Sequence, residues 1–215
     1  MQRAAKEPLS LERIELAALE LIEAESMAGF STRKLAALLG REAMSIYHYF
    51  PSKEHLLDAL VDRVIGEDLT VLDPTSRDWR SVVEGSAREW RRMGARRPHF
   101  FGFLVNHRLN TPTALRWLNS LLGVFIAAAG SEEHAVRSFR ALGYYLGGAV
   151  LDETAGYARG PSTVAPVPDE VMAQNYPFVV KAGTWFRPEQ WDGTFELGLA
   201  AHLDAFERGI KRATS

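Results

Sequence analysis

The sequence predicts an all-α protein with a small N-terminal head and a larger helical body, and three observations carry that reading. Apolar residues recur at three- and four-residue spacing through most of the 215-residue chain, the period of one helix face. Ser, Pro and Gly fall between these stretches, where helices start and stop. No run alternates as a half-buried strand would, and no internal repeat is visible. The division is placed at residues 1–66 and 67–215.

Leu9 to Glu25 reads as the first helix, with Ser10 as its cap and Ile14, Ala17, Ala18, Leu21 and Ile22 as its buried face. Gly29 ends it, and Phe30 is a candidate core anchor. Ser31 then caps a short helix faced by Leu35, Leu38 and Leu39, and Gly40 stops it. A side chain at that stop would strain against the left-handed geometry of a sharp turn. The next helix follows at once, with Ala43, Ile46 and Phe50 inward. Pro51-Ser52 restarts the chain into a fourth helix built on Leu56, Leu57, Leu60, Val61 and Val64, closed by Gly66.

Two short helices joined by a turn with Gly make a helix-turn-helix, whose second helix lies in a DNA major groove. The spacing has a steric logic: Ala36 is small where the helices cross, Gly40 turns, and Ile46 packs back beneath Ala36. Ala43, Met44, Ser45, Tyr47, His48 and Tyr49 are left partly or wholly outward. A plain helical hairpin would account for the spacing but not for three outward rings flanked by Arg33, Lys34, Arg41 and Lys53. The formal net charge is −2, so DNA binding here requires a small, well-placed surface.

Leu69 to Arg77 reads as a linker stopped at Asp73-Pro74. Helices are then expected over Asp78–Arg96, Pro98–Arg108 and Thr111–Ala129, the last with Thr111 as cap and Pro112 at its first position. Another runs from Ser131 to Tyr157 and holds Gly143, Gly147 and Gly148, whose use inside a helix is close approach of a neighbour. Arg159 to Pro168 is a loop by composition. Asp169 to Trp185 is an irregular helix broken near Pro177, and Pro188 to Arg212 is the last helix.

The run from Ser31 to Ala36, Gly40, Ser45-Ile46-Tyr47-His48-Tyr49-Phe50 and Ser52-Lys53-Glu54-x-Leu56-Leu57 resembles the DNA-binding head of the tetracycline-repressor (TetR) family. Arg41 departs from the apolar residue that often follows the turn glycine. The resemblance places Thr32, Arg33, Tyr47, Tyr49 and Lys53 on DNA phosphates and Ala43, Met44, Ser45 and His48 on the reading helix. It implies double-stranded, palindromic operator DNA as partner. Asp78-Trp79 through Ala87, Gly143 through Glu153 and Phe195 through Leu199 are similar to the ligand-binding and dimerisation domain of tetracycline-responsive members. That similarity implies a homodimer built on the two long C-terminal helices, with Gly143, Gly147, Leu199, Leu203 and Phe206 at its interface.

Those members hold their drug through magnesium with histidine help. The matching stretch here, Gly66-Glu67-Asp68-Leu69, has no histidine, so the domain shape is expected without the metal, and no cofactor is expected. The rings Trp90, Phe100, Phe101, Phe103, His107 and Trp117 are open to two readings, plain core or an apolar pocket for a flat small molecule. In the second, Ser86, Trp90, Phe103, His107, Trp117, Tyr144 and Asp152 are the candidate ligand residues.

Enzyme chemistry finds no support. The six histidines show no metal-ligand spacing, no cysteine is present, and Gly147-Gly148 lacks the Lys-Ser/Thr of a phosphate loop. No apolar run reaches membrane-spanning length, and a cytoplasmic protein is expected. The function expected is a ligand-responsive regulator, most simply a repressor released from its operator by a small apolar molecule. The alternative is a helical ligand-binding or assembly module that no longer reads DNA.

Overall fold

A computed structural model describes residues 8–155 and 165–213, and among them there are eleven α-helices and no strand. The head comprises α1 (Leu11–Gly29), α2 (Thr32–Leu38), α3 (Ala43–Tyr47) and α4 (Lys53–Asp68). Ser10, Ser31 and Ser52 cap α1, α2 and α4, each hydroxyl accepting from the backbone N–H three residues on, at 3.2, 3.3 and 3.4 Å. Gly40 has φ 63°, the left-handed turn expected of it. Ile14, Ile22, Leu35, Ala36, Ile46, Leu56 and Leu60 are buried together, each large aliphatic contributing about 1.5–3 kcal/mol.

α1 kinks at Ser26 (φ 66°), just past Glu25, and ends at Gly29, the stop the sequence assigns it. Two expectations for the head are corrected. Leu38 is 57% exposed, because a seven-residue helix has only one inward face and Leu35 and Ala36 occupy it. α4 passes Gly66 and ends at Asp68, where the buried Leu69 side chain fastens the exit. Gly66 serves packing instead, since a Cβ there would lie 3.2 Å from the Thr113 methyl.

The body comprises α5 (Trp79–Arg96), α6 (Pro98–Leu104), α7 (Pro112–Ala128), α8 (Glu132–Ala155), α9 (Asp169–Asn175), α10 (Pro177–Ala182) and α11 (Trp191–Ala213). A 3₁₀ turn, Pro188–Gln190, leads into α11. α6 is shorter than expected, giving way at Val105 to a turn in which Asn106 and His107 amides bond back to Phe103 and Leu104 carbonyls. Tyr157 and the loop residues 159–164 lie outside the described residues. The break at Pro177 falls where the sequence places it, between α9 and α10.

α8 is the centre of the body, packed by α5, α6, α7 and α11. The close-approach glycines lie mostly on its neighbours. A Cβ on Gly94 of α5 would sit 2.2 Å from Val150, and one on Gly198 of α11 would sit 2.4 Å from the Tyr145 ring. Within α8, Gly147 faces Val105 of the same subunit, while Gly143 and Gly148 face open space. Arginines of α5 fasten α11 and α8 across this core: Arg80 to Asp204 at 2.7 Å, Arg88 to Glu196 at 2.7 Å and Arg91 to Glu153 at 2.8 Å.

Five carboxylates of the head hold it to the body, Glu67 among them through Arg97 at 3.0 Å. Glu23 accepts from the His99 and Phe100 amides at 3.1 and 2.9 Å, capping α6 from α1. Asp62 accepts from the Thr113 amide and hydroxyl at 2.6 and 2.8 Å. Thr111 was the expected cap of α7, but its side chain makes no capping bond; α4 supplies that cap instead. Burial works against the Asp62 charge, yet these hydrogen bonds outweigh it and hold the carboxyl below its usual value. Asp58 meets His107 Nε2 at 2.8 Å. Asp68 pairs with Arg96 and Arg97 at the end of α5.

Candidate nucleic-acid interface and effector cavity

α2 and α3 present one polar face. Met44, Tyr47, His48 and Tyr49 are exposed, Ala43 and Ser45 half-buried, and Ile46 lies beneath them in the core. Arg33 is exposed at the start of α2, and the Thr32 and Tyr47 hydroxyls meet at 3.0 Å. That bond joins α2 to α3, fixing two hydroxyls side by side. Lys53 opens α4 with its ammonium 5.3 Å from the Phe30 ring centroid, an arrangement that orients the charge. The Ser52 hydroxyl reaches Glu54 at 2.6 Å and holds that carboxyl below its usual range.

Two side chains of this face have structural bonds that their spacing did not reveal. The Tyr49 hydroxyl donates to the Leu9 carbonyl at 2.8 Å, tying α3 to the start of α1. Its one donor is therefore engaged, so Tyr49 offers DNA a ring and an acceptor. Lys34 pairs with Glu25 and donates to the Gly29 carbonyl at 2.9 Å, closing the C-terminus of α1.

In the body, a cavity of about 690 Å³ lies between α5, the α6–α7 turn, α7 and α8. Ser86, Trp90, His107, Trp117 and Tyr144 line it, five of the seven candidate ligand residues. The Trp90 and Trp117 indoles, both in its lining, stack on each other with 5.7 Å between centroids and 13° between planes. Phe103 turns instead into a separate groove of about 720 Å³ between the kink of α1 and α6, beside His99. The remaining candidate, Asp152, borders a cleft of about 290 Å³ between α8 and α11. His107 lies between the two spaces, since it lines the groove with Phe103, 4.8 Å from that ring, as well as the cavity.

Of the expected dimer residues, Gly143 is exposed on α8, and the other four are corrected. Leu199, Leu203 and Phe206 are each 1% exposed in a single subunit, and Gly147 is buried against Val105. They belong to the core that α8 and α11 make within one chain. The outward sides of the same helices carry Tyr144 and Gly148 on α8 and Leu197, Ala201 and Ala205 on α11. An apolar residue one step around the helix was the missed signal.

The magnesium chemistry of tetracycline-responsive proteins does not fit this donor set. Asp68 is committed to two arginines, Leu69 is buried, and among the described residues no cluster of His, Asp or Glu has the makings of a metal site. No helix among them is long and apolar enough to cross a membrane.

Residues 15–60 match the family model of bacterial regulatory proteins of the tetR family. Residues 73–210 match that of the tetracyclin repressor-like C-terminal domain. The tetracycline repressor protein class A from transposon 1721 of Escherichia coli is 31% identical over 199 residues, 89% of this chain and 88% of that one. The HTH-type transcriptional repressor DrrR1 of Streptomyces coeruleorubidus is 30% identical over 151 residues, 70% of this chain but only 56% of that protein. TetR from Acinetobacter baumannii AYE superposes with a TM-score of 0.72 at 27% identity, covering 94% of this chain and 98% of that chain. A possible TetR family regulator from Streptomyces coelicolor A3(2) superposes at 0.77 with 21% identity, covering 93% and 99%. A helix-turn-helix head, a cavity-bearing helical body and matches over both place this chain in the TetR family of bacterial regulatory proteins, as a DNA-binding transcriptional regulator and not an enzyme.

Proposed function

We propose that the protein is a homodimeric repressor that leaves a palindromic operator when a small, largely apolar molecule enters the cavity lined by Trp90 and Trp117. One observation carries the coupling: His107, in the wall of that cavity, is bonded to Asp58 of α4. A ligand that displaces the α6–α7 turn moves the helix on which the head is mounted. The spacing of two heads then no longer matches successive major grooves. The names of relatives support this reading, since the Escherichia coli relatives are tetracycline repressors and that of Streptomyces coeruleorubidus is a transcriptional repressor.

Thr32, Arg33, Tyr47 and Lys53 are assigned to phosphates and Ala43, Met44, Ser45 and His48 to base edges, with Tyr49 packing its ring against the sugar-phosphate edge. The test begins with duplexes retained by the protein from genomic DNA of its host. Retention of no specific sequence overturns operator recognition. On a retained duplex, Lys53→Ala is expected to weaken binding to all sequences alike and to lower the salt slope by about one. A changed sequence preference with an intact slope removes Lys53 from the phosphate contacts.

The homodimer is assigned to the outward face of α8 and α11. Leu197 is 74% exposed there beside Ala201, Ala205 and Gly148, small residues that permit close helix approach. α9, α10 and the turn after them add exposed Phe178, Trp185 and Phe186, apolar surface that a subunit alone leaves in water. Leu197→Glu is expected to sediment as a folded monomer. An unchanged dimer places the interface elsewhere.

A further inference from the structure

We infer that the cavity selects an organic anion: a flat aromatic body carrying one carboxylate or a comparably acidic group. The inference rests on the reading of this cavity as the effector site and adds the charge of what fills it. The interior is apolar, and the Trp90 and Trp117 indoles, stacked on each other, are part of its lining. Aromatic rings in a cavity lining favour a flat, conjugated ring system.

The rim is cationic. Arg108 and Arg140 are exposed and border the cavity, and no Asp or Glu lines it. The contrast with other arginines of the chain is informative. Arg63, Arg80, Arg88, Arg91 and Arg97 each meet a carboxylate, at 2.6, 2.7, 2.7, 2.8 and 3.0 Å. Arg108 and Arg140 meet none among the described residues. Arg140 Nε donates to the Tyr144 hydroxyl at 2.8 Å, and its guanidinium lies 5.0 Å from that ring's centroid. This holds the fork at the rim with its remaining N–H groups available. A guanidinium fork matches a carboxylate in two parallel bonds. Asp58 of α4, outside the lining, is bonded to the His107 ring and meets neither rim arginine.

The buried polar groups point the same way. Ser86 Oγ and the indole nitrogens of Trp90 and Trp117 are buried without a hydrogen-bond partner. Indole nitrogens only donate, so an oxygen-bearing ligand that shifts either ring slightly meets a donor wanting an acceptor. A cationic ligand would bring donors to donors and a positive charge to two guanidiniums.

The test is equilibrium dialysis of the full chain with three probes of one ring system. These are anthraquinone-2-carboxylate, anthraquinone-2-carboxamide and 2-(aminomethyl)anthraquinone. The carboxylate is expected to bind about tenfold tighter than the amide or more, the scale of one charge-assisted pair, with the ammonium weakest. R108Q and R140Q together are expected to abolish that preference, so that the double variant binds the carboxylate and the amide equally. Binding of all three probes with no preference for the anion overturns the charge assignment while the cavity reading stands. A preference that survives in the double variant overturns it as well, since the arginines are then not its source. Failure of every probe to bind overturns the effector cavity and, with it, this inference.

Discussion

Phe206→Ala is expected to lower the folding stability of the subunit by about 3–5 kcal/mol, the range for truncating a buried aromatic ring. The Phe206 ring is 1% exposed and packs edge-on to Trp79 at 4.9 Å, against Phe125 at 4.9 Å and stacked on His134 at 5.1 Å. Those partners belong to α5, α7 and α8, so the ring joins four helices of one chain. Alanine leaves a void that none of them can close without moving its whole helix. Urea unfolding reads the loss directly, as a lower midpoint with an unchanged slope. If the variant instead kept its unfolding midpoint and fell apart into folded monomers on sedimentation, Phe206 would be an interface residue after all.

The second large effect is expected at Glu23. Its two carboxylate oxygens each accept from one amide in the first turn of α6, and α6 has only seven residues. Removing the acceptor leaves the part-buried Phe100 N–H and the more exposed His99 N–H without it and takes a negative charge from the positive end of the helix. Glu23→Ala is expected to cost about 1–3 kcal/mol and to speed amide exchange across 99–104. Glu23→Gln keeps one oxygen acceptor and places a donor where the other was, so an intermediate loss is expected. Equal losses in the two variants would mean that side-chain packing, not capping, is what Glu23 supplies.

The head was legible in the sequence because its determinants are local. Each cap and its helix lie within three residues, the turn is set by a single glycine with positive φ, and Ile46 and Phe50 follow at fixed spacing. The cavity was legible in part. Trp90, His107 and Trp117 were singled out because rings cluster there, although periodicity does not say which side of a helix faces a void. Phe103 shows the difficulty: its ring lies 4.8 Å from His107, yet it lines only the groove beside α1, while His107 lines both that groove and the cavity. The interface residues failed for a related reason. Leu199, Leu203 and Phe206 form a buried stripe, and a stripe looks the same whether its partner is the same chain or another. The attachments of α4 were not legible at all. Asp58, Asp62 and Asp68 look like a solvated face, and only the fold brings His107, Thr113 and Arg97 to them.

Those attachments bear on the engineering of hybrid regulators, in which the reading head of one protein is spliced to the sensing body of another. A splice in the loop after α4 cuts the chain at a single covalent connection between the halves. Here it would separate Glu23 from α6, Asp62 from α7, Asp58 from His107 and Asp68 from Arg96 and Arg97. A hybrid made that way inherits acids without their donors on one side and bare helix ends on the other. Grafting this head intact therefore means transplanting a second, discontinuous set of residues from the body along with it.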